Sequence, residues 1–149
     1  MEGHGQRIEL EELLAISTMT LATTGPDGEP HAAPVYFAAD HKLLFYFFSD
    51  PQSLHGLDIT RDPRAAAAFY PYCFDYQDIR GVQMRGLVRL LQPGDEWDAG
   101  WQLYQAKFPF VADLKAIIGR NRLYVFIPRW IRTVDNRRGF GFKQEWEIA

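Results

Sequence analysis

The sequence predicts a mainly β, α+β fold: six or seven mostly antiparallel strands in a closed or nearly closed barrel, with three or four helices between them. Three observations carry this. Short β-branched or aromatic runs alternate with tight turn signals such as Gly25-Pro26-Asp27-Gly28. The first three runs lie too close together for crossover helices, so they form an antiparallel meander and not a βαβ unit. The chain has 149 residues, 47% hydrophobic and 23% charged, which suits one packed core, and 1–149 reads as a single domain.

Residues 6–16 read as a short amphipathic helix through Ile8, Leu10, Leu13 and Leu14. Strands are expected over 17–24, 30–37 and 43–48. Asp50-Pro51 then reads as a helix start, with Asp50 capping and Pro51 in the first helical position, and the helix ends before Asp62-Pro63. A strand over 64–70 follows, then an aromatic-rich loop, 71–78. A long strand over 80–91 carries Gly81 and Gly86, which mark a bulge or a close backbone approach.

Gln92-Pro93-Gly94-Asp95 opens a helix on which Trp97, Trp101, Tyr104 and Phe108 share one face, a stripe that reads as core or subunit interface. A further helix is expected over 111–118, closed by Gly119, and then strands over 123–127 and 130–134. Gly139-Phe140-Gly141 reads as backbone geometry only.

Composition narrows the function. With 16 basic and 19 acidic residues the net charge is −3, which argues against nucleic acid as the main partner. No apolar run approaches the roughly 18 residues of a membrane span, and the N-terminus lacks signal-peptide features, so a cytoplasmic protein is expected. Cys73 is the sole cysteine, and the four histidines show no metal-ligand spacing, so no metal is expected. No phosphate-cradling glycine loop, dinucleotide fingerprint or nucleophile elbow is present. The catalytic residues are unknown at this stage. His4 and His41 read as surface or turn residues, and His31 and His55 as better site candidates. The aromatic content, 15%, suits rings that line a site or an interface.

Three stretches carry a family resemblance: TLATTGPDGEPHAAPVYF, LLFYFFSDPQSLHGLDITRDPRAAAAFY and IRGVQMRGLVRLL. In order and spacing they resemble the pyridoxamine 5′-phosphate oxidase-like superfamily of FMN-binding split barrels, and the tail resembles an uncharacterised bacterial branch of it. The resemblance implies a homodimer with FMN between the subunits, and a flavin-dependent oxidoreductase acting on a small molecule. Ser49 and Ser53 match phosphate-binding positions, and His55 falls where many members have a lysine. Val35, Tyr36 and Phe37 match the strand against the flavin ring. Arg80 and Gln83 match positions that face the cofactor or the partner's site. Ala33, Ala38 and Leu54 stand where the oxidase carries three phosphate-binding cations. The same barrel leaves two alternatives: a non-catalytic flavin or haem binder with His31 or His55 as axial ligand, and a deazaflavin-dependent reductase using the arginines between 120 and 138. Trp97, Trp101, Trp130 and Phe140 are the interface candidates.

Overall fold

The computed structural model describes residues 10–114 and 119–148. Its strands are β1 (Thr18–Thr24), β2 (Pro30–Tyr36), β3 (Ala38–Ala39), β4 (Phe45–Ser49), β5 (Arg64–Phe69), β6 (Arg80–Leu90), β7 (Arg122–Asp135) and β8 (Lys143–Glu147). Helix α1 (Leu54–Arg61) lies between β4 and β5, and α2 (Asp95–Lys107) between β6 and β7. Short 3₁₀ turns occupy Tyr76–Asp78, Pro109–Leu114 and Asn136–Arg138.

All strand pairs are antiparallel, in the order β2-β1-β5-β6-β7-β4-β3, with β8 added on β7. The two ends of this path, β2 and β3, are separated in sequence by Phe37 alone. Adjacent residues cannot sit at opposite edges of a flat sheet, so the sheet curls until its edges approach. The result is the split barrel that the sequence predicts. Phe37 is fully buried at the closure and packs on Phe45 and Phe69, with ring centroids 5.6 and 4.9 Å away. Alternate residues of each strand fill the interior, among them Met19, Leu21, Phe47, Ala67, Val82, Met84, Phe126 and Ile131.

Several elements differ from the sequence expectation. The two strands expected over 123–134 are one continuous strand, β7. Pro128, which suggests a break, pairs with Gly86 beside a register shift between Arg85 and Gly86. A bulge releases the ladder from needing a donor there, so proline is tolerated. A Cβ on Gly86 would overlap the Ile127 carbonyl and lie 2.8 Å from the Pro128 Cα. Strand β8 was not expected, because Lys143–Glu147 alternates around a single buried large residue, Trp146. The helix expected over 111–118 is a 3₁₀ turn over Pro109–Leu114, and residues 115–118 lie outside the described ones. Of the N-terminal helix, residues 10–13 are helical and 6–9 fall outside the described ones.

Helix α2 lies on the outer side of β4. Tyr104 and Phe108 of its aromatic stripe are buried, and Trp101 packs edge-on against Phe48 at 5.8 Å. Lys107 ends this helix. Its ammonium donates to the carbonyls of Leu14 (2.9 Å), Ile16 (2.6 Å) and Phe37 (2.8 Å) and stands 4.0 Å above the Phe37 ring. Burial pulls its pKa down to about 8, so it stays protonated at neutral pH. One side chain thereby ties α2 to the entry of β1 and to the barrel closure. Lys107→Met keeps the aliphatic stem but strands these carbonyls, and we expect a loss of about 2 kcal/mol or more in urea unfolding. A loss within about 0.5 kcal/mol, the range of an ordinary surface change, would refute the tether.

Candidate functional site

The site is built where β4 turns into α1. Ser53 is the N-cap of α1, and its hydroxyl accepts from the Gly56 N–H at 3.2 Å and donates to the Asp50 carbonyl at 2.6 Å. This corrects the expected cap at Asp50. The Asp50 carboxylate instead accepts from the Gln52 N–H at 2.9 Å and closes the turn that precedes the helix, so Pro51 lies in that turn. Gly56 is needed for the fit, since a Cβ there would lie 2.5 Å from the Asp50 carbonyl oxygen. The N-terminal end of α1, the positive end of its helix dipole, borders the space beside Ser49.

That space is a cleft of about 440 Å³. Pro34, Val35 and Tyr36 of β2 form one wall, and Phe48, Tyr104, Phe110 and Val111 another. Ser49, Asp50, Ser53, His55 and Asn121 supply the polar groups. Tyr36 meets Phe108 and Phe110 edge-on, at 5.5 and 6.2 Å. Burial, with Tyr36 alongside, pushes the Tyr104 hydroxyl up to about 12, so it stays protonated. His55 Nε2 is hydrogen-bonded to the Ser49 hydroxyl and lies 3.4 Å from that of Ser53. Burial lowers the His55 pKa against the opposing pull of Asp58, which favours the neutral imidazole.

The structure therefore brings Val35, Tyr36, Ser49, Ser53 and His55 into one cleft. Phe37, Arg80 and Gln83 do not line it. Phe37 points into the core, and its carbonyl is taken by Lys107. Arg80 pairs with Glu12 at 3.3 Å, and Gln83 is exposed on β6. Sequence reasoning missed Tyr104, Phe110 and Val111 as cleft residues. Only their aromatic and apolar character was visible, without a link to the cleft residues 49 or more positions earlier.

It also missed Asp58. This side chain is 1% exposed, yet it accepts from Thr23 Oγ1 at 2.8 Å, meets His31 Nδ1 at 2.6 Å and lies 3.4 Å from Arg61. His31, a site candidate from sequence, is thus an anchor between β2 and α1. Burial alone would raise the Asp58 pKa. The bonds from His31, Thr23 and Arg61 outweigh it and hold the carboxyl below its usual range. An acid beside the buried stripe of Gly56 and Ile59 was the available signal.

A second, open groove of about 900 Å³ crosses the outer face of the sheet. Small residues such as Ala22, Ala66 and Gly86 line it, with Arg64, Arg85, Arg129 and Trp130. The guanidinium groups of Arg85 (4.4 Å) and Arg132 (5.0 Å) both lie over the Trp130 ring. Trp97 stacks on Trp101 at 5.9 Å, and Phe140 is exposed beside Tyr76. His41 is exposed, and His4 lies outside the described residues. Among the described residues, no group of three or more His, Cys, Asp or Glu comes together as a metal site, and no helix is long and apolar enough to cross a membrane.

A family model described as pyridoxamine 5′-phosphate oxidase matches residues 8–135. The chain belongs to this family. A UPF0306 protein of Citrobacter koseri is 32% identical over 123 residues, covering 80% of this chain and 79% of that one. A pyridoxine/pyridoxamine 5′-phosphate oxidase of Cupriavidus pinatubonensis is 43% identical over 100 residues, covering 67% of this chain but 43% of the relative. Among solved structures, a haem-binding protein from Mycobacterium smegmatis shares the fold at a TM-score of 0.78 and 22% identity, over 95% of this chain and 57% of that one. The uncharacterised branch expected from the tail fits the UPF0306 similarity.

Asp58 makes a pH prediction. Its folded pKa is depressed, so its stabilisation is complete above the ordinary value of 3.8 and is withdrawn as pH falls below it. Asp58→Asn should cost about 3 kcal/mol near pH 7, because it breaks a buried charged pair. The gap to the wild type should narrow below pH 3.8. Chemical denaturation across that range checks it, and a gap that does not change with pH would count against a charged, paired Asp58.

Proposed function

We propose that the chain binds FMN and acts as a flavin-dependent oxidoreductase on a small molecule. The observation that supports this most is the meeting of Val35, Tyr36, Ser49, Ser53 and His55 in one cleft at the start of α1. The donor set suits the cofactor. A phosphate favours hydroxyl donors and the N–H groups of a first helical turn. A flavin ring favours an apolar, aromatic wall with a few polar contacts. When bound, the flavin supplies the electron or hydride transfer.

The chain's own residues bind, orient and exclude water. In this reading Ser49, Ser53 and the first turn of α1 hold the phosphate, and neutral His55 orders the Ser49 hydroxyl. Tyr36, Phe48 and Phe110 wall off solvent, and Tyr104 offers a hydroxyl that does not ionise near neutral pH. The backbone of Val35 and Tyr36 borders the ring, and Arg80 and Gln83 serve the cleft of a second subunit in a homodimer.

A second reading, haem binding, is favoured by one feature. His55 is a half-buried imidazole that burial keeps neutral, as an axial ligand must be. The Mycobacterium smegmatis neighbour is described as haem-binding. Visible spectra of the protein, taken with added FMN or haemin after gel filtration, separate the readings. We expect paired flavin bands that co-elute with the wild type and are lost in Ser49→Ala/Ser53→Ala. A Soret band that disappears in His55→Ala would replace the flavin reading, and retention of neither ligand would defeat both.

A further inference from the structure

We infer that Arg122 is the residue that recognises the anionic end of the ligand in the cleft. This rests on the reading of the cleft as a flavin site and assigns the cation that the second strand does not supply. Ala33, Ala38 and Leu54 leave β2, β3 and the start of α1 without a lysine or arginine. No lysine or arginine lines the cleft among the described residues, and Asp50 does. His55 contributes little positive charge, since burial disfavours its protonated form. A phosphate there would face one carboxylate with only hydroxyl and N–H donors to oppose it.

Arg122 is placed to change that balance. It opens β7 directly opposite Ser49 in the β4–β7 ladder. Side chains of directly paired residues leave a sheet on the same face, so Arg122 and Ser49 share theirs. Its neighbour Asn121 is part of the cleft lining. Both Arg122 and Asp50 act electrostatically on the Tyr124 hydroxyl, which places the arginine and the carboxylate in one neighbourhood.

Three other cations near the cleft are engaged, whereas Arg120, which precedes Asn121, is exposed but has no strand partner that aligns it with Ser49. Arg61 reaches Asp58 and the Thr24 carbonyl, Arg64 is paired with Asp62 at 2.8 Å, and Lys107 is held by its three carbonyls. Among the described residues Arg122 makes two long contacts, 3.3 Å each, to the carbonyls of Gly119 and Asn121. It has no carboxylate partner among the described residues. Turning from two weak carbonyl contacts to a phosphate is a small rearrangement, and a guanidinium engages phosphate through two parallel donors.

FMN and riboflavin differ by the phosphate alone, so their affinity ratio isolates its recognition. Equilibrium binding of both, followed by flavin fluorescence, is measured for the wild type, Arg122→Gln, Arg122→Lys and Arg129→Ala. The last removes an equal charge from the outer groove. We expect the wild type to prefer FMN by about tenfold or more, the size of a charge-assisted contact, and to lose that preference as salt rises. Arg122→Gln should lower the FMN preference by about tenfold, to what the Ser49, Ser53 and N–H donors contribute, while binding riboflavin as the wild type does. Arg122→Lys should restore part of the preference, and Arg129→Ala should keep it. A preference undiminished in Arg122→Gln overturns the inference and leaves the flavin reading intact. Equal wild-type affinity for both flavins also overturns it. A wild type that binds neither flavin overturns the flavin reading and the inference with it.

Discussion

Asp58 is a carboxylate sealed under a helix, and burying a charge is stabilising only if its neighbours satisfy it. Thr23 reaches it from β1, His31 from β2 and Arg61 from its own helix. The arrangement ties α1 to the first hairpin at a defined height and rotation. Everything useful about α1 lies at its other end, one turn earlier, where Ser53 and His55 face Ser49. The position of the cleft's polar end follows from that of the Asp58 carboxylate. Apolar packing of Ile59 alone would hold the helix against the sheet without setting its direction so closely.

Lys107 plays the matching part for the cleft's aromatic end. By gathering carbonyls from the N-terminal segment and from Phe37, it fixes where β2 passes into β3. Tyr36 precedes that crossing, and Tyr104 and Phe108 lie on the helix that Lys107 ends. The barrel closure and one aromatic wall are thus set by the same ammonium. Between these two anchors the cleft holds a neutral imidazole, two hydroxyls and several rings. This suits a ligand with a flat apolar body and one polar end, and it leaves charge recognition to the rim.

Much of the fold was legible because the cues are local. The turn at Gly25-Pro26-Asp27-Gly28 separates two strands wherever it occurs, since glycine and proline restrict the backbone without help from neighbours. The strands around it and the long β6 were found close to their true bounds. Errors arose where a local cue was overridden from a distance. The sequence places two strands on either side of 128–129, yet the bulge opposite Gly86 lets β7 run through Pro128. Asp50 reads as a helix cap, yet its side chain is spent on the turn and Ser53 takes the role. β8 carries too few apolar residues to declare itself and exists because β7 offers an edge.

The candidate site divides along the same line. Ser49, Ser53 and His55 fall within seven residues, so their proximity could be read from the chain, and so could the missing cations at Ala33, Ala38 and Leu54. By itself the sequence determined the antiparallel barrel, the family and the polar end of the cleft, because turn chemistry, alternation and helix starts act over a few residues. Only the tertiary structure decided that Tyr104 and Phe110 wall the cleft, that His31 anchors Asp58, and that Arg122 stands opposite Ser49. Those relations join residues 27 or more positions apart. They depend on strand register and on how far the sheet curls, quantities set by packing of the whole core and written in no single segment.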